Sequence, residues 1–409
     1  MRRLLLSLWV VVAASSVNTV ALGQVQASDP PASAGSSVPN LFTAPDGRVY
    51  LSWIETSAEK RHALRFSVLS RRGWSAPQTI ASGDNWFVNW ADFPSIVALA
   101  DGSLAAHWLE KNGEGTYAYD VRISRSFDKG KTWTGPATPH SDRTQTEHGF
   151  VSMLGAGSRL MIAWLDGRKF KPQAEEHSGH DHGPSDNEMT QRFAEMAGGN
   201  RFEREAELDA RVCECCQTSA AMTSDGMVVV YRDRSKEEVR DISVVRYSRG
   251  RWSEPKPVYR DNWKIDGCPV NGPSVSATGG RVAVAWFTAT GDRPSVKVAF
   301  SNDAAATFGQ PIQVDDSAPL GRVDILMLKD GSAIVTWLER TEKGAEIRAR
   351  KVAGDGSLRP SVTVAESNAA RASGFPQSAL FGQGVVFAWT ETGSPSRLRG
   401  AIVNLARFK

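Results

Sequence analysis

The sequence predicts an all-β protein, a β-propeller of seven four-stranded blades, from three observations. A hairpin pattern of two alternating apolar strands around a Gly-containing turn recurs seven times along the chain. A shared turn ending follows several of these hairpins, and the 36 Gly and 13 Trp occur with little helical periodicity. One such unit cannot bury both faces of its own sheet, so the units are expected to stack around an axis. Six blades is the alternative, if an end hairpin merges with its neighbour.

The seven hairpins span residues 39–55, 93–110, 149–166, 218–233, 272–288, 322–339 and 375–391. In most of them Asp-Gly or Gly-Gly joins the two strands, which is the strongest short-range signal of a hairpin. Related turn endings occupy residues 73–77, 132–136, 251–255 and 307–311.

Tryptophans in the second strands should fill the core between blades. An acid ends the second strand in six units, and so regular a feature favours a strand-end hydrogen bond over a site. These acids are Glu55, Glu110, Asp166, Asp233, Glu339 and Glu391.

The N-terminus has the features of a secretory signal peptide, residues 1–23. Arg2 and Arg3 precede an apolar run at 4–14 that is too short to span a bilayer. We therefore expect a secreted or periplasmic protein, with a flexible leader at 24–37 and the propeller at 38–409. Loss of Arg2 and Arg3 lowers the formal charge from +3 to +1, so nothing favours a nucleic-acid partner. The rest of the sequence has no apolar run long enough for a membrane span.

Residues 126–133, Ser-Phe-Asp-Lys-Gly-Lys-Thr-Trp, match the pattern S-x-D-x-G-x-T-W, and residues 301–308 keep its Ser, Asp, Thr and an aromatic. In such a turn the Asp accepts backbone N–H bonds and the Gly permits a positive φ. This pattern is the Asp-box, and the chain resembles the sialidase superfamily of propellers. The resemblance implies that these turns are structural and lie opposite the active face.

The resemblance also implies what an active site would contain: an arginine triad for a substrate carboxylate, a Tyr–Glu nucleophile pair and an acid/base Asp. The Arg-Ile-Pro motif that carries the first arginine of that family does not occur in this sequence. Arginine suits a carboxylate because its planar fork bonds both oxygens, and paired carboxyls supply acid and base or nucleophile. The candidate catalytic residues are Asp92, Glu147, Arg232, Arg234 and Arg322.

Propeller strand order places two classes of loop on one face: the loops that lead into each hairpin and the loops that join the second strand to the third. Loops on a rigid scaffold are where binding and catalysis concentrate. We therefore expect the catalytic candidates to converge there with a set of substrate-binding candidates. These are Trp90, His148, Arg168, Asp233, Arg240, Asn271 and Asp324.

All four cysteines lie in two of these loops. Cys213, Cys215 and Cys216 share one loop, and Cys268 lies in the next. An even count in an exported protein favours disulfides, with Cys268 paired to one of the first three. The remaining pair would then have to close within residues 213–216. That awkward geometry raises a thiolate site for copper or zinc, or a redox pair, as the alternative.

A histidine-rich insertion, from residue 169 to about 187, opens on the same face. It carries His177, His180 and His182 beside several carboxylates, a composition that can bind copper, nickel or zinc. Mobile runs of this kind often bind metal only weakly.

Two functional hypotheses follow. The first is an exported, sialidase-like protein that binds a carbohydrate or other small acidic ligand on this face, with exo-glycosidase hydrolysis left open. The alternative is a non-catalytic extracytoplasmic propeller that binds a transition metal or a protein partner through its Cys- and His-bearing loops. A lectin without chemistry cannot be separated from the first hypothesis by sequence.

Overall fold

The computed structural model describes residues 25–170 and 188–409. Seven antiparallel sheets form a ring, which confirms the predicted all-β propeller of seven blades. The predicted signal peptide at 1–23 and the candidate metal ligands His177, His180 and His182 lie outside the described residues.

In the first four blades the strands follow one another in chain order from the ring axis outward. Blade 1 contains Ser36–Thr43, Val49–Thr56, His62–Ser70, Gly73–Trp74 and Gln78–Gly83. Blade 2 contains Ser95–Ala98, Leu104–Lys111 and Tyr119–Ser126, with a bridge from Ile123 to Ala137 at its outer edge. Blade 3 contains His148–Ala156, Arg159–Asp166, Met189–Met196 and Phe202–Val212. Blade 4 contains Ser219–Met222, Met227–Arg232, Ile242–Ser248, Arg251–Trp252 and Lys256–Tyr259.

The last three blades follow the same order. Blade 5 contains Ser274–Thr278, Arg281–Thr288, Ser295–Ser301 and Ile312–Gln313. Blade 6 contains Pro319–Met327, Ala333–Thr341, Gly344–Val352 and Val362–Ser367. Blade 7 contains Gln377–Phe381, Gly384–Glu391, Arg397–Asn404 and the N-terminal Gln26–Ala27. Three short 3₁₀-helices occupy Thr290–Asp292, Arg371–Ser373 and Leu405–Phe408. Within residues 25–170 and 188–409, no helix is long and apolar enough to cross a membrane.

The ring is closed by the two ends of the chain. Gln26 and Ala27 pair with Ile402 and Ala401 in the third strand of blade 7. Part of the segment expected to be a leader therefore supplies the outer strand of the last blade. This pairing satisfies backbone groups that would otherwise form an open sheet edge.

The core lies between blades, as the repeated tryptophans predicted. Trp53, Trp164, Trp286 and Trp337 are each at most 1% exposed. In three blades the indole N–H donates to the acid two residues further on: Trp53 to Glu55, Trp164 to Asp166 and Trp337 to Glu339, at 3.3, 2.9 and 2.5 Å. These bonds confirm that acids at the end of the second strand serve the fold.

The Asp-box forms the turn after the third strand of blade 2. Asp128 accepts the backbone N–H and the hydroxyl of Thr132, at 2.9 and 2.7 Å, and these bonds lower the pKa of Asp128 to about 2. The degenerate copy behaves in the same way, since Asp303 accepts the same two donors from Thr307 at 2.9 and 2.6 Å. Because the third strand of blade 2 runs from Tyr119 to Ser126, this turn lies at the far end of the blade from the loop before Ser95.

Candidate functional site

The end of the ring at which the inner strand of each blade begins is called the loop face below. Residues that are far apart in the sequence come together on this loop face. The N–H of Cys213 donates to the carbonyl of Arg232 at 3.0 Å. The guanidinium of Arg232 donates to the carbonyl of Asn271 at 2.9 and 2.8 Å. The side-chain oxygen of Asn271 accepts from the N–H of Arg322 at 2.7 Å. These predicted residues therefore converge, as the strand order indicated.

A β-bulge with a left-handed residue recurs at the start of the inner strands of blades 1, 3 and 6. The residues are Val38, Phe150 and Arg322, with φ of 51°, 52° and 54°, and the strand register shifts beside each. Such a conformation costs on the order of 1–3 kcal/mol, so surrounding contacts must hold it. Each of the three N–H groups donates to a side-chain oxygen of the preceding blade or of the loop that leads into that blade. The acceptors are Thr390, Asp92 and Asn271.

Asp92 is thus a clasp between blades. Both of its carboxylate oxygens lie 2.9 Å from the N–H of Phe150, and the side chain is 4% exposed. Burial raises the pKa of Asp92 to about 7, although the bonds from Phe150 and Tyr119 oppose the shift. The contacts of this catalytic candidate, like those of Asn271, hold the backbone of the following blade.

Arg232 is turned inward. Its guanidinium is 1% exposed and donates to carbonyl oxygens of three residues at 2.6–2.9 Å, while it lies 4.9 Å from the ring of Trp263. The three acceptor residues are Asn271, Arg240 and Phe287. The structure therefore places this arginine among backbone acceptors rather than at a ligand.

Arg234 and Arg240 belong to a buried ion-pair network. Arg240 donates to Glu214 at 2.8 Å and to Glu238 at 2.9 Å, and Arg234 pairs with the same two carboxylates. Both arginine side chains are 1% exposed. Because each guanidinium is matched by carboxylates of the same loops, this network fixes the loop that carries Cys213.

The cysteine pairing resolves one of the alternatives left open by the sequence. Cys215 and Cys268 form a disulfide with a Cα–Cα distance of 6.1 Å, so the predicted bridge from Cys268 is confirmed. Cys213 and Cys216 are buried free thiols whose sulfurs lie 3.1 Å apart. The sulfurs of Cys213, Cys215 and Cys216 lie within 4.8 Å of one another, so these loops place several soft ligands at one point.

His148 and Arg168 form a second internal network. His148 lies 3.3 Å from Asp142 and stacks on His140 with 3.8 Å between ring centroids, while Arg168 bonds both oxygens of Asp166 at 2.7 Å. Burial lowers the pKa of His148, but the carboxylates of Asp142 and Asp166 outweigh it and the net shift is upward. Asp142, His148 and Asp166 place ligand atoms within 4.8 Å of one another and could hold a metal, although Arg168 already pairs with Asp166.

Two substrate-binding candidates lie apart from the loops' meeting point. Asp233 accepts the hydroxyl of Ser243 at 3.0 Å, and burial raises the pKa of Asp233 to about 6. Asp324 lines the central channel, a cavity of about 260 Å³ between the inner strands. There it accepts the N–H and hydroxyl of Ser378, both at 2.7 Å, and the hydroxyl of Ser274 at 3.0 Å.

A small recess between the loops has aromatic walls and one carboxyl group. The hydroxyl of Tyr119 donates to Glu147 at 2.8 Å and lies 3.4 Å from Asp92. Burial, reinforced by the charges of Asp92 and Glu214, raises the pKa of Glu147 to about 8 against the opposing bond from Tyr119. The enclosed space is about 20 Å³, enough for one water molecule. Its lining includes Phe87, Trp90, Tyr117, Tyr119, Glu147 and Cys215.

An uncompensated positive charge lies beside this recess. Arg322 is 5.0 Å from the ring of Trp90 and, like Arg232, donates to internal acceptors, which are the hydroxyl of Ser373 at 2.6 Å and the carbonyls of Ala370 and Gly374 at 3.0 and 3.1 Å. Burial and the charge of Arg371 lower the pKa of Arg322 to about 10. Arg371 is exposed. Within residues 25–170 and 188–409, no carboxylate lies within 4.0 Å of either guanidinium.

Sequence reasoning missed Tyr119, Tyr117 and Arg371. Tyr119 begins the third strand of blade 2, where an aromatic residue in an alternating pattern indicates only a strand. The available signal was topological, because the start of a third strand lies on the same face as the loop that carries Glu147. Arg371 begins the 3₁₀-helix Arg371–Ser373, which carries no sequence motif, and only its effect on Arg322 distinguishes it.

Comparison with known proteins agrees with the fold. The family model described as BNR repeat-like domain matches residues 47–318. No curated protein matches the chain. A protein of unknown function from Dyadobacter fermentans is similar in structure, with 14% identity and a TM-score of 0.52, over 93% of this chain and 98% of that one.

Two solved sialidase structures are more distant. A mutant of the NanB sialidase from Streptococcus pneumoniae has 10% identity and a TM-score of 0.47, over 94% of this chain and 93% of that one. The Trypanosoma rangeli sialidase has 13% identity and a TM-score of 0.45, over 83% of this chain and 57% of that one. At these identities the likeness concerns the fold alone, so function has to be argued from the site.

Proposed function

We propose, since this chain belongs to the BNR repeat-like domain family, that its loop face binds a carbohydrate bearing a carboxylate. The binding place is the recess walled by Trp90 and Tyr117, with Arg322 and Arg371 at its side. We further propose that Tyr119 and Glu147 hydrolyse the terminal glycosidic bond of that ligand. We also propose that the protein acts outside the cytoplasmic membrane.

The observation that carries this proposal is the pair of guanidiniums without a carboxylate partner. Burial and the charge of Arg371 lower the pKa of Arg322, and the same charge opposes the rise that burial and Glu147 cause in the pKa of Tyr117, so Arg371 acts on two residues beside the recess. Two like charges that disfavour each other are relieved by an anion placed between or beside them. An exposed guanidinium can bond both oxygens of a carboxylate, and the aromatic walls offer apolar surface to a sugar ring.

Hydrolysis would use the Tyr119–Glu147 hydrogen bond. As the phenol oxygen attacks the anomeric carbon, its proton passes to the ionised form of Glu147, 2.8 Å away. Because the pKa of Glu147 is about 8, this form is the minor one at neutral pH and its share grows as the pH rises. Asp92, whose pKa of about 7 keeps a fraction of it protonated near neutral pH, supplies the acid for the leaving oxygen. Water then cleaves the glycosyl–tyrosine bond. The space beside Tyr119 holds one water molecule, so Trp90 or Tyr117 must move outward when the sugar enters.

Binding is tested by calorimetric titration of the purified protein with sialyllactose and with lactose, which lacks the carboxylate. We expect binding of the first only. Arg371→Ala should weaken that binding by about tenfold or more, because a charge-assisted bond is lost. Arg72→Ala removes the same charge from an exposed turn after the third strand of blade 1 and should leave the affinity unchanged. Equal binding of the two sugars, or equal loss in both variants, would refute the acidic site.

Hydrolysis is tested separately with Tyr119→Phe, which removes only the phenol oxygen. We expect release of the terminal sugar from sialyllactose by the wild type, its loss in Tyr119→Phe, and retained binding by that variant. If the wild type binds the sugar without cleaving it, the protein is a lectin and the proposed chemistry is wrong. If Tyr119→Phe cleaves at the wild-type rate, another group performs the reaction.

A further inference from the structure

Four sulfur atoms meet at the loop face in two different states. Cys215 and Cys268 are joined in a disulfide, whereas Cys213 and Cys216 are free thiols at 0% and 1% exposure. Cys268 is partly exposed, so solvent reaches the bridge on that side. One pair is therefore open to small molecules, and the other lies directly behind it.

The spacing of the inner pair fits a thiol beside a thiolate. Cys213 and Cys216 have sulfurs 3.1 Å apart. A tetrahedral zinc with bonds of about 2.3 Å would hold two sulfurs about 3.8 Å apart, and a disulfide joins them at about 2.05 Å. The observed distance lies between these values and matches a hydrogen bond from one sulfur to the other.

The surroundings favour a charged sulfur on Cys213. Burial alone would raise the pKa of Cys213, but the hydrogen bond from Cys216 and the guanidiniums of Arg240 and Arg232 bring it to about 7. Arg240 reaches the sulfur of Cys213 at 3.4 Å. A thiolate is the attacking species in disulfide exchange, and the positive charge of Arg240 beside the sulfur of Cys213 stabilises it.

We propose that the two cysteine pairs form an internal thiol–disulfide relay, in which the buried pair receives the disulfide from Cys215–Cys268. The sulfurs of Cys213, Cys215 and Cys216 lie within 4.8 Å of one another, so attack needs only a small side-chain movement. Nothing in this relay depends on the proposed glycan site.

The relay balances without an external oxidant. The Cys213 thiolate attacks the sulfur of Cys215, a Cys213–Cys215 bond forms, and Cys268 leaves as a thiolate. The thiol of Cys216 loses its proton to that thiolate and attacks Cys213, which forms Cys213–Cys216 and releases Cys215 as a thiolate. One disulfide and two thiols exist before and after, so no electrons are gained or lost. The outcome is a buried disulfide and a partly exposed pair of thiols that can reduce an outside disulfide.

Tryptic peptides distinguish the two states. Cys213, Cys215 and Cys216 fall in the peptide 212–232, and Cys268 falls in the peptide 265–281. The Cys215–Cys268 bridge therefore cross-links two peptides, whereas a Cys213–Cys216 bridge stays within one. The native full-length protein, prepared with one disulfide per chain, is incubated with N-ethylmaleimide and quenched with acid at intervals. Mass spectrometry then follows the cross-linked pair and the internal loop.

In the wild type we expect the cross-linked pair to decay while the internally bridged 212–232 peptide and alkylated Cys268 appear together. Cys213→Ser removes the attacking sulfur and should slow the decay by about tenfold or more. Cys216→Ser removes the second sulfur of the same buried pair and should stop the relay at a Cys213–Cys215 bridge with Cys268 alkylated. The two variants delete chemically equal groups and differ only in the step that they block.

Three results would overturn the relay. The cross-linked pair could persist in the wild type as long as in Cys213→Ser. The native protein could contain two disulfides that resist reduction by dithiothreitol. Elemental analysis could find one zinc or copper per chain that is lost on Cys213→Ser or Cys216→Ser. The wild-type time course alone decides the question if either variant fails to fold, which its circular dichroism spectrum would show.

Discussion

Replacing Glu147 with Gln should change how the stability of the protein depends on pH. Glu147 is buried and lines the recess, and burial first, then the charges of Asp92 and Glu214, raises its pKa from 4.5 to about 8. Gln keeps the shape and the oxygen that accepts the hydroxyl of Tyr119 at 2.8 Å. The substitution therefore removes the titration while preserving the contact.

The sign follows from proton binding. A pKa that is higher in the folded state means that the folded protein binds more protons than the unfolded chain between pH 4.5 and about 8. The stability contributed by protonated Glu147 is complete below pH 4.5 and is lost as the pH rises through about 8. At about 1.4 kcal/mol per pH unit, the loss is on the order of 5 kcal/mol.

Chemical denaturation followed by tryptophan fluorescence, at intervals from pH 4.5 to 9, measures this loss. The free energy of unfolding of Glu147→Gln minus that of the wild type should rise steadily across the interval and level off near pH 8. Glu114→Gln, at an exposed loop position, controls for the removal of one carboxyl group from the chain. A difference between Glu147→Gln and wild type that does not vary with pH would refute the burial argument.

Three further substitutions test the clasps between blades. Arg232→Ala leaves buried carbonyl oxygens without their donor, so the free energy of unfolding should fall by about 3–5 kcal/mol, whereas Arg72→Ala at an exposed turn should change it by no more than about 0.5 kcal/mol. Equal denaturation midpoints for these two variants would contradict an internal role for Arg232. Asn271→Ala should cost about 1–3 kcal/mol by freeing a buried N–H, and Asn271→Asp, which keeps the acceptor but loses the donations of the Asn271 amide to the carbonyls of Pro269 and Leu320, should recover only part of it in the same assay. Gly272→Ala would place a methyl group 2.0 Å from the carbonyl oxygen of Gln217; we expect a markedly lower melting temperature by circular dichroism, and an unchanged one would show that the backbone can yield there.

The repeat pattern was enough to predict the ring. Strand alternation, Asp-Gly turns and the repeated tryptophans each report a local requirement that recurs in most blades, so their agreement favoured seven blades, with six as the alternative. The convergence of Cys213, Arg232 and Arg322 also followed, because strand order alone decides which loops share a face. The pairing of Cys268 with one of the first three cysteines came from redox chemistry and loop adjacency.

The roles of individual polar residues could not be predicted in the same way. Asp92 and Asn271 accept the N–H groups of two bulged residues, Phe150 and Arg322. Both of these residues have a positive φ, a conformation that the identity of a Phe or an Arg does not indicate in a sequence. Because a sequence does not reveal these bulges, polar residues that hold them look the same as polar residues that bind a ligand. The interior partners of Arg232 were hidden for a related reason, since its acceptors are backbone carbonyls of distant residues.

A crystal structure of the protein soaked with sialyllactose tests the proposed acidic-sugar site most directly. The account predicts the sugar ring against Trp90 and Tyr117, with its carboxylate bonded to Arg371 and its anomeric carbon toward Tyr119. Sugar bound in the central channel or at the Asp-box turn of residues 126–133, with the recess holding only water, would contradict it.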